Sequence, residues 1–244
     1  MSSATESRLV IPARFNGPPD SGNGGFVAGL LAAYVAGEGP VQVTLREPPP
    51  LDVPLDVHLD DGQVVAALEG AVIATAQPGT LAADPVLPVS FRTAAAAESR
   101  YQGLTAHPFP TCFVCGPDRP RGDGLGLRPG RVGDRPEDPV ATTWVPSAGL
   151  ADRDGTLPAR FVWAALDCPG GWASDLVARP MVLGRMTAAV HALPLAGDPC
   201  VVVGRVLDVE GRKTFTASTA YDPDGRVLGH AEATWITIRP DTEA

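Results

Sequence analysis

One carboxylate in this chain sits where carboxylates are seldom found. Residues 161–173 (FVWAALDCPGGWA) read as a helix with apolar residues on every side, and Asp167 lies in its middle. A helix that is hydrophobic all round is normally buried. A buried carboxylate needs a partner or a task, because removing its charge from water is costly. Such a group can take a proton from water or attack an electrophile directly. The structural alternative starts from Pro169, which fits poorly inside a helix. Asp167 could then cap a new helical turn beginning near that proline. A carboxylate has two oxygens, so both roles can coexist.

The surrounding pattern is what must position this acid. Residues 8–16 read as a short strand, and 17–25 (GPPDSGNGG) as a loop. Residues 26–36 (FVAGLLAAYVA) form a short apolar helix, entered through Gly24-Gly25 and left through Gly37-Glu38-Gly39-Pro40. Alternating apolar residues then predict strands at 41–45, 55–59, 64–68 and 71–76, with a hairpin signal at Asp60-Asp61-Gly62. The last third repeats the order: strand 140–145, a polar loop 146–158, helix 161–173, then strands at 183–192, 200–207, 213–221 and 227–238. Pro50-Leu51 and Pro194-Leu195 fall at equivalent points, so the repeat is one of pattern. The expected divisions are 1–78, a Pro/Gly-rich connector 79–139 with a helix at 93–101, and 140–244. The connector holds too few apolar residues for its own core.

Composition bounds the partners. With 19 basic against 28 acidic residues the net charge is −9, which argues against nucleic acid and against anionic membrane surfaces. No apolar run reaches membrane-spanning length, and residues 1–8 lack a signal-peptide core. Lys213 is the only lysine, and the Ala, Gly, Pro and Arg richness is that of a GC-rich, bacterial genome. Four scattered cysteines predict reduced thiols and a cytoplasmic setting. Cys112 and Cys115 invite a zinc reading, but His107, Cys168 and Cys200 are not spaced as a second ligand pair. Packed thiols and no metal are therefore expected.

A helix wrapped by an antiparallel sheet, occurring twice, resembles the hotdog fold: α+β, a double hotdog with two long buried helices, each wrapped by its own sheet. The chain resembles the phenylacetic-acid-pathway type of acyl-CoA thioesterase. That family carries an Asn, a short Gly-containing loop, His-Gly-Gly, and a helix with an acid nine residues after the His. Here Asn16 precedes Asn23-Gly24-Gly25, with Asn23 in the place of the His, and in the second half Asp167 stands in the place of the acid. Cys112-Phe113-Val114-Cys115-Gly116 with Gly124-Leu125-Gly126-Leu127 resembles a segment preceding many single hotdog domains. Each half carries one part of the pattern. Nine residues after Asn23 comes Ala32, and nine before Asp167 lies the stretch Pro158-Ala159-Arg160, without glycines.

The resemblance implies thioester hydrolysis, with the acyl carbonyl at a helix N-terminus where free N–H groups and the helix dipole favour negative charge. Eight residues of helix span about 12 Å, whereas reacting groups must lie about 3 Å apart. Asp167 cannot share a carbonyl with the start of its own helix, but the Gly24/Gly25 end of the first helix can meet it. One composite site and one dead site per chain are expected, with Asp167 as base or nucleophile and the Gly24 and Gly25 amides as oxyanion donors. Asn16 or Asn23 would orient substrate or water. Gly24-Gly25 could equally provide only a tight turn and close packing.

Other candidates have plain alternatives. His191 could line the cavity or be a hydrogen-bonded structural residue. Arg212-Lys213 could dock a coenzyme A phosphate or be a solvated turn. Trp163 and Trp172 could line an acyl channel or simply fill the core. The expected ligand is a small acyl thioester, coenzyme A entering as substrate and not as cofactor. Exposed sheet edges would permit a homodimer. A non-catalytic acyl-CoA or lipid-binding protein is the rival reading. A hotdog hydratase or dehydratase ranks below it, since those rely on an Asp/His pair near a helix start and neither loop here has such a His.

Overall fold

The computed structural model describes residues 7–120 and 122–238; most of the polar N-terminal stretch, residues 1–6, lies outside them. Its elements, in chain order, are β1 (Ser7–Leu9), α1 (Gly24–Ala32), β2 (Val41–Leu45), β3 (Leu55–Asp60), β4 (Gln63–Leu68), β5 (Ala71–Pro78), α2 (Phe91–Ala97), β6 (Gly130–Arg131), β7 (Val140–Trp144), α3 (Ala159–Trp172), β8 (Met181–Val190), β9 (Cys200–Glu210), β10 (Lys213–Tyr221) and β11 (Val227–Thr237).

The strands form one antiparallel sheet in the order β1-β3-β4-β5-β2-β8-β11-β10-β9-β7-β6. Its two halves mirror each other about the β2–β8 seam, where Val41 faces Ala188 and Thr44 faces Arg185. β1 extends the first half beyond β3 just as β7 extends the second beyond β9. Turn chemistry sets the register at Asp61 (φ 44°) and Gly62 (φ 77°), both left-handed as a two-residue hairpin requires. The sheet is therefore continuous, not two separate wraps, and α1 and α3 lie together on one side of it. α1 rests on β2, β5 and β8, and α3 on β7 to β11.

α1 is shorter than the expected 26–36. Asn23 caps it, its Oδ1 accepting from Phe26 N at 2.9 Å, so the helix opens two residues early at Gly24. Past Ala32 the backbone tightens into i→i+3 bonds, then bends through Gly37 (φ 101°) and Gly39 (φ 119°), left-handed positions that a helix cannot include. The uniformly apolar run gave no periodicity from which to read that end. The strand expected at 8–16 stops at Leu9, and residues 13–15 form a 3-10 turn closed by Phe15 N on Pro12 O at 2.9 Å.

α3 runs unbroken through Pro169. The proline offers no N–H to the preceding turn. Nearby, Ser218 on β10 donates its hydroxyl to Leu166 O at 2.5 Å. The two helices run antiparallel and touch at glycines. A Cβ on Gly25 would lie 2.5 Å from Asp167 Cβ, and one on Gly29 would lie 2.7 Å from Arg160 Cα. Spaced four apart, these glycines share one face of α1.

The 79–139 segment has a second function as packing material. Val86 and Ala94 pack with Ala141, Val201, Val203, Ala217 and Tyr221 on the sheet face turned away from α3. This explains the continuous apolar run of β9: Cys200 and Val202 belong to the main core, Val201 and Val203 to the second. Farther along, Cys112, Phe113, Val114, Cys115, Leu125 and Leu127 enter the main core. Glu98 ties the segment to β7 by accepting from Thr143 N at 2.8 Å.

Candidate functional site

The N-terminus of α1 and the middle of α3 meet at a single carboxylate. Asp167 is 2 % exposed. Its Oδ2 accepts from Gly25 N and from Asn23 Nδ2, each at 2.9 Å. No hydrogen bond from the residues after Pro169 reaches it, so within the described residues it caps α1, not its own helix. Its Oδ1 is buried and has no partner among the described residues. Burial pushes the Asp167 carboxyl up to about 7, against the downward pull of the Gly25 and Asn23 hydrogen bonds.

Asn23 is the hinge of this arrangement. Its side chain accepts from Phe26 N and donates to Asp167, which fixes which end of the amide faces the acid. Gly24 N–H, the first free donor of the helix, bonds to no described residue. A Cβ on Gly24 would meet Leu183 Cβ at 2.8 Å, so only glycine fits beneath that wall.

Asn23, Gly24 and Asp167 border a cavity of about 490 Å³. Most of its wall is apolar, from Leu45, Phe109, Trp172, Met181, Leu183 and Trp235. The Trp235 indole N–H is a second buried polar group on this wall without a partner among the described residues. The result is a greasy chamber with a carboxylate and a free helix-end N–H at one point of its wall. That arrangement can hold an apolar chain and present a carbonyl to an N–H donor beside a base.

The remaining candidates are placed otherwise. Gly25 N–H is taken by Asp167, and its Cα lies against Asp167 Cβ and Trp163 O. Close packing is thus its role, and its amide is not open to an oxyanion in this arrangement. Asn16 is off the cavity wall. It accepts from Arg119 Nη2 at 2.5 Å and donates to Thr111 Oγ1 at 3.2 Å, stitching the 79–139 segment to the first loop. Trp163 packs in the helix crossing against Gly29. His191 is exposed just beyond β8 and pairs with His230 at 3.1 Å. Arg212 in an exposed turn and Lys213 at the exposed start of β10 are not part of the wall; Arg212 Nη2 donates to Thr237 O at 2.9 Å, between the lining residues Ile236 and Ile238.

The residues that spacing alone did not bring to the site are sulfur-bearing. Cys112, Cys115 and Cys168 all border the cavity beside Asp167, with His107. Cys112 and Cys168 lie 56 positions apart yet their sulfurs are 3.9 Å apart. The one available signal was adjacency: Cys168 follows Asp167 in the sequence.

No protein-family model and no curated protein matches the sequence. Solved structures do match. A protein of Novosphingobium aromaticivorans proposed to be a thioesterase superposes with a TM-score of 0.64 at 12% identity, over 96% of both chains. The tesB protein of Mycobacterium avium subspecies paratuberculosis gives 0.61 at 14% identity, over 95% of this chain and 93% of its own. A hot dog fold protein of unknown function from Alicyclobacillus acidocaldarius gives 0.59 at 11% identity, over 98% and 96%. The chain has the hotdog fold along nearly its whole length.

Proposed function

We propose that this chain hydrolyses an acyl-CoA or acyl-carrier thioester at one site between α1 and α3. The observation that carries the reading is the Asp167 carboxylate held at the N-terminus of α1 inside an apolar cavity of about 490 Å³. The acyl chain occupies the cavity, with its carbonyl oxygen on Gly24 N–H. Asp167 Oδ1, the oxygen not committed to Gly25 and Asn23, receives a proton as water attacks the carbonyl carbon. The negative charge that forms on oxygen is stabilised by the Gly24 N–H and the helix end. Collapse breaks the C–S bond, and the thiolate leaves and takes up that proton as the free thiol.

The mirrored position has no acid, because α1 carries none; the reading therefore assigns one working site per chain. Two hotdog halves, 1–78 and 140–244, supply the helix end and the acid within one chain, and the 79–139 segment adds Phe109, Cys112 and Cys115 to the wall. Four buried free thiols suit a reducing, cytoplasmic setting, and the terminal strands β1 and β6 offer edges on which a homodimer could form.

Asp167→Asn should abolish thiol release from acyl-CoA substrates while preserving the thermal midpoint, since the amide oxygen can still accept from Gly25. Unchanged turnover in that variant would refute the assignment. One observation favours the rival, a binding protein without turnover: Asp167 Oδ2 is fully engaged by Gly25 and Asn23. A thiol-release assay run beside binding calorimetry separates the two, because binding without thiol release supports the rival.

A further inference from the structure

The sulfur cluster beside Asp167 is more organised than packing requires. The sulfurs of Cys112, Cys115 and Cys168 all lie within 4.8 Å of one another, and all three residues are buried. His107 Nε2 lies 3.4 Å from Cys115 Sγ. A tetrahedral zinc with Zn–S bonds of about 2.3 Å and a Zn–N bond of about 2.0 Å places sulfurs roughly 3.8 Å apart and the nitrogen roughly 3.5 Å from each. The Cys112–Cys168 separation of 3.9 Å and the His107–Cys115 separation are close to those edges; His107 is not within 4.8 Å of all three sulfurs, so its ring must swing inward to become the fourth ligand.

The donors around the sulfurs point the same way. Asn23 Nδ2 donates toward Cys112 Sγ and Cys168 Sγ, each at 3.9 Å. Trp172 Nε1 donates to Cys115 Sγ at 3.4 Å. N–H groups aimed at sulfur stabilise thiolate charge and orient a ligating sulfur. The turn is closed by Gly116 N on Cys112 O at 2.9 Å. A Cβ on Gly116 would lie 2.5 Å from Cys112 N, so the tight loop depends on glycine there.

We propose that Cys112, Cys115, Cys168 and His107 form a zinc site that clamps the 79–139 segment to α3 beside Asp167. Three thiolates and an imidazole are the soft ligand set of a closed structural zinc. His107 Nδ1 accepts from Phe109 N at 2.9 Å. An imidazole bound through Nε2 carries its proton on Nδ1, so that bond opens when the metal binds. Cys168 neighbours Asp167 in α3, and Asn23 Nδ2 lies 3.9 Å from both Cys112 Sγ and Cys168 Sγ. The metal thus holds in place the amide that orients the acid. The inference stands apart from the thioesterase reading, and its test contains no turnover measurement.

Protein purified under reducing conditions without chelator should contain one zinc per chain by elemental analysis. Cobalt added to metal-free protein should give thiolate-to-cobalt charge-transfer absorption and the intense d–d bands of a tetrahedral site. Cys112→Ser and Cys168→Ser should lose both signals; Cys200→Ser, buried at the start of β9 outside the cluster, should keep them. His107→Ala should weaken zinc affinity by at least the ~10–100-fold that loss of an outer-shell partner already costs. Should the cysteine variants fail to fold, the wild type still decides: chelation should lower its thermal midpoint and added zinc restore it. Folded, reduced wild type with neither zinc nor cobalt bands overturns the site. So do folded Cys112→Ser or Cys168→Ser proteins that bind zinc like wild type. An unaltered affinity in His107→Ala overturns His107 as the fourth ligand, and a midpoint indifferent to zinc removal overturns the clamp.

Discussion

Asp167 Oδ2 and Gly25 N are 2.9 Å apart across 142 residues of chain, and that one bond joins the acid of the second half to the helix start of the first. It forms only because Gly25 has no side chain, since a Cβ there would overlap Asp167 Cβ at 2.5 Å. Gly25→Ala should therefore push α1 and α3 apart. Overpacking of this kind costs about 1–3 kcal/mol, readable as a lower urea midpoint at constant slope. Thiol release should fall with it. Gly29→Ala crowds the same crossing at Arg160 and Trp163, away from the carboxylate. It should destabilise comparably while sparing more activity. Equal activity losses in the two variants would show that helix spacing, and not the Asp167 contact, controls the rate.

Asn23 separates capping from positioning. Its Oδ1 caps α1 through Phe26 N while its Nδ2 holds Asp167. Serine is as good a cap as asparagine, whereas alanine in place of a cap costs about 1 kcal/mol. Asn23→Ser should keep most of the stability and lose activity, because a serine hydroxyl serving as cap is too short to reach Asp167 as well. Asn23→Ala should lose both. Thermal midpoints and thiol-release rates of the two variants, measured together, test the division; full activity in the serine variant would remove Asn23 from the site.

The strands of β2 to β5 and of the second half were readable because each buries one face or, over stretches of β4, β7, β9 and β10, both. The hairpin at Asp61-Gly62 was readable because its backbone admits few other residues. The acid stood out because its neighbours are apolar. What stayed hidden depends on contacts remote in the chain. Asn16 occupies a suggestive place in the motif, but Arg119, 103 positions away, takes its oxygen. Cys168 joins Cys112 and Cys115 only after α3 docks. The 79–139 segment looked too polar for a core because it builds half of one, against the back of β7, β9 and β10. The free Gly25 amide was a local expectation about a helix end, overturned by the very residue it was meant to serve.

Thr216 on β10 carries a buried hydroxyl with no partner among the described residues, lying over Gly170 of α3. A buried polar group left unpaired costs about 1–3 kcal/mol. Thr216→Val keeps the branched shape that suits a strand and removes the hydroxyl, so it should raise the urea midpoint. Thr216 is not part of the cavity wall, and thiol release should be unchanged. A destabilised valine variant would mean that the hydroxyl is satisfied in solution, for example by an ordered water.

His230 gives the fold a pH response apart from the site. It is half-buried on β11, and burial together with the neighbouring His191 lowers its pKa below the usual 6.5, with Glu232 opposing. Above 6.5 the ring is neutral in both folded and unfolded chains and contributes nothing to the pH slope. As pH falls through that value the unfolded chain takes up a proton that the folded one resists, so stability declines until the folded-state pKa is passed. The thermal midpoint should fall more steeply on acidification from about pH 7 to about pH 5.5 in wild type than in His230→Asn, which has no proton to bind there. Identical slopes in the two proteins would show that the His191–His230 pair is too solvated to couple protonation to folding.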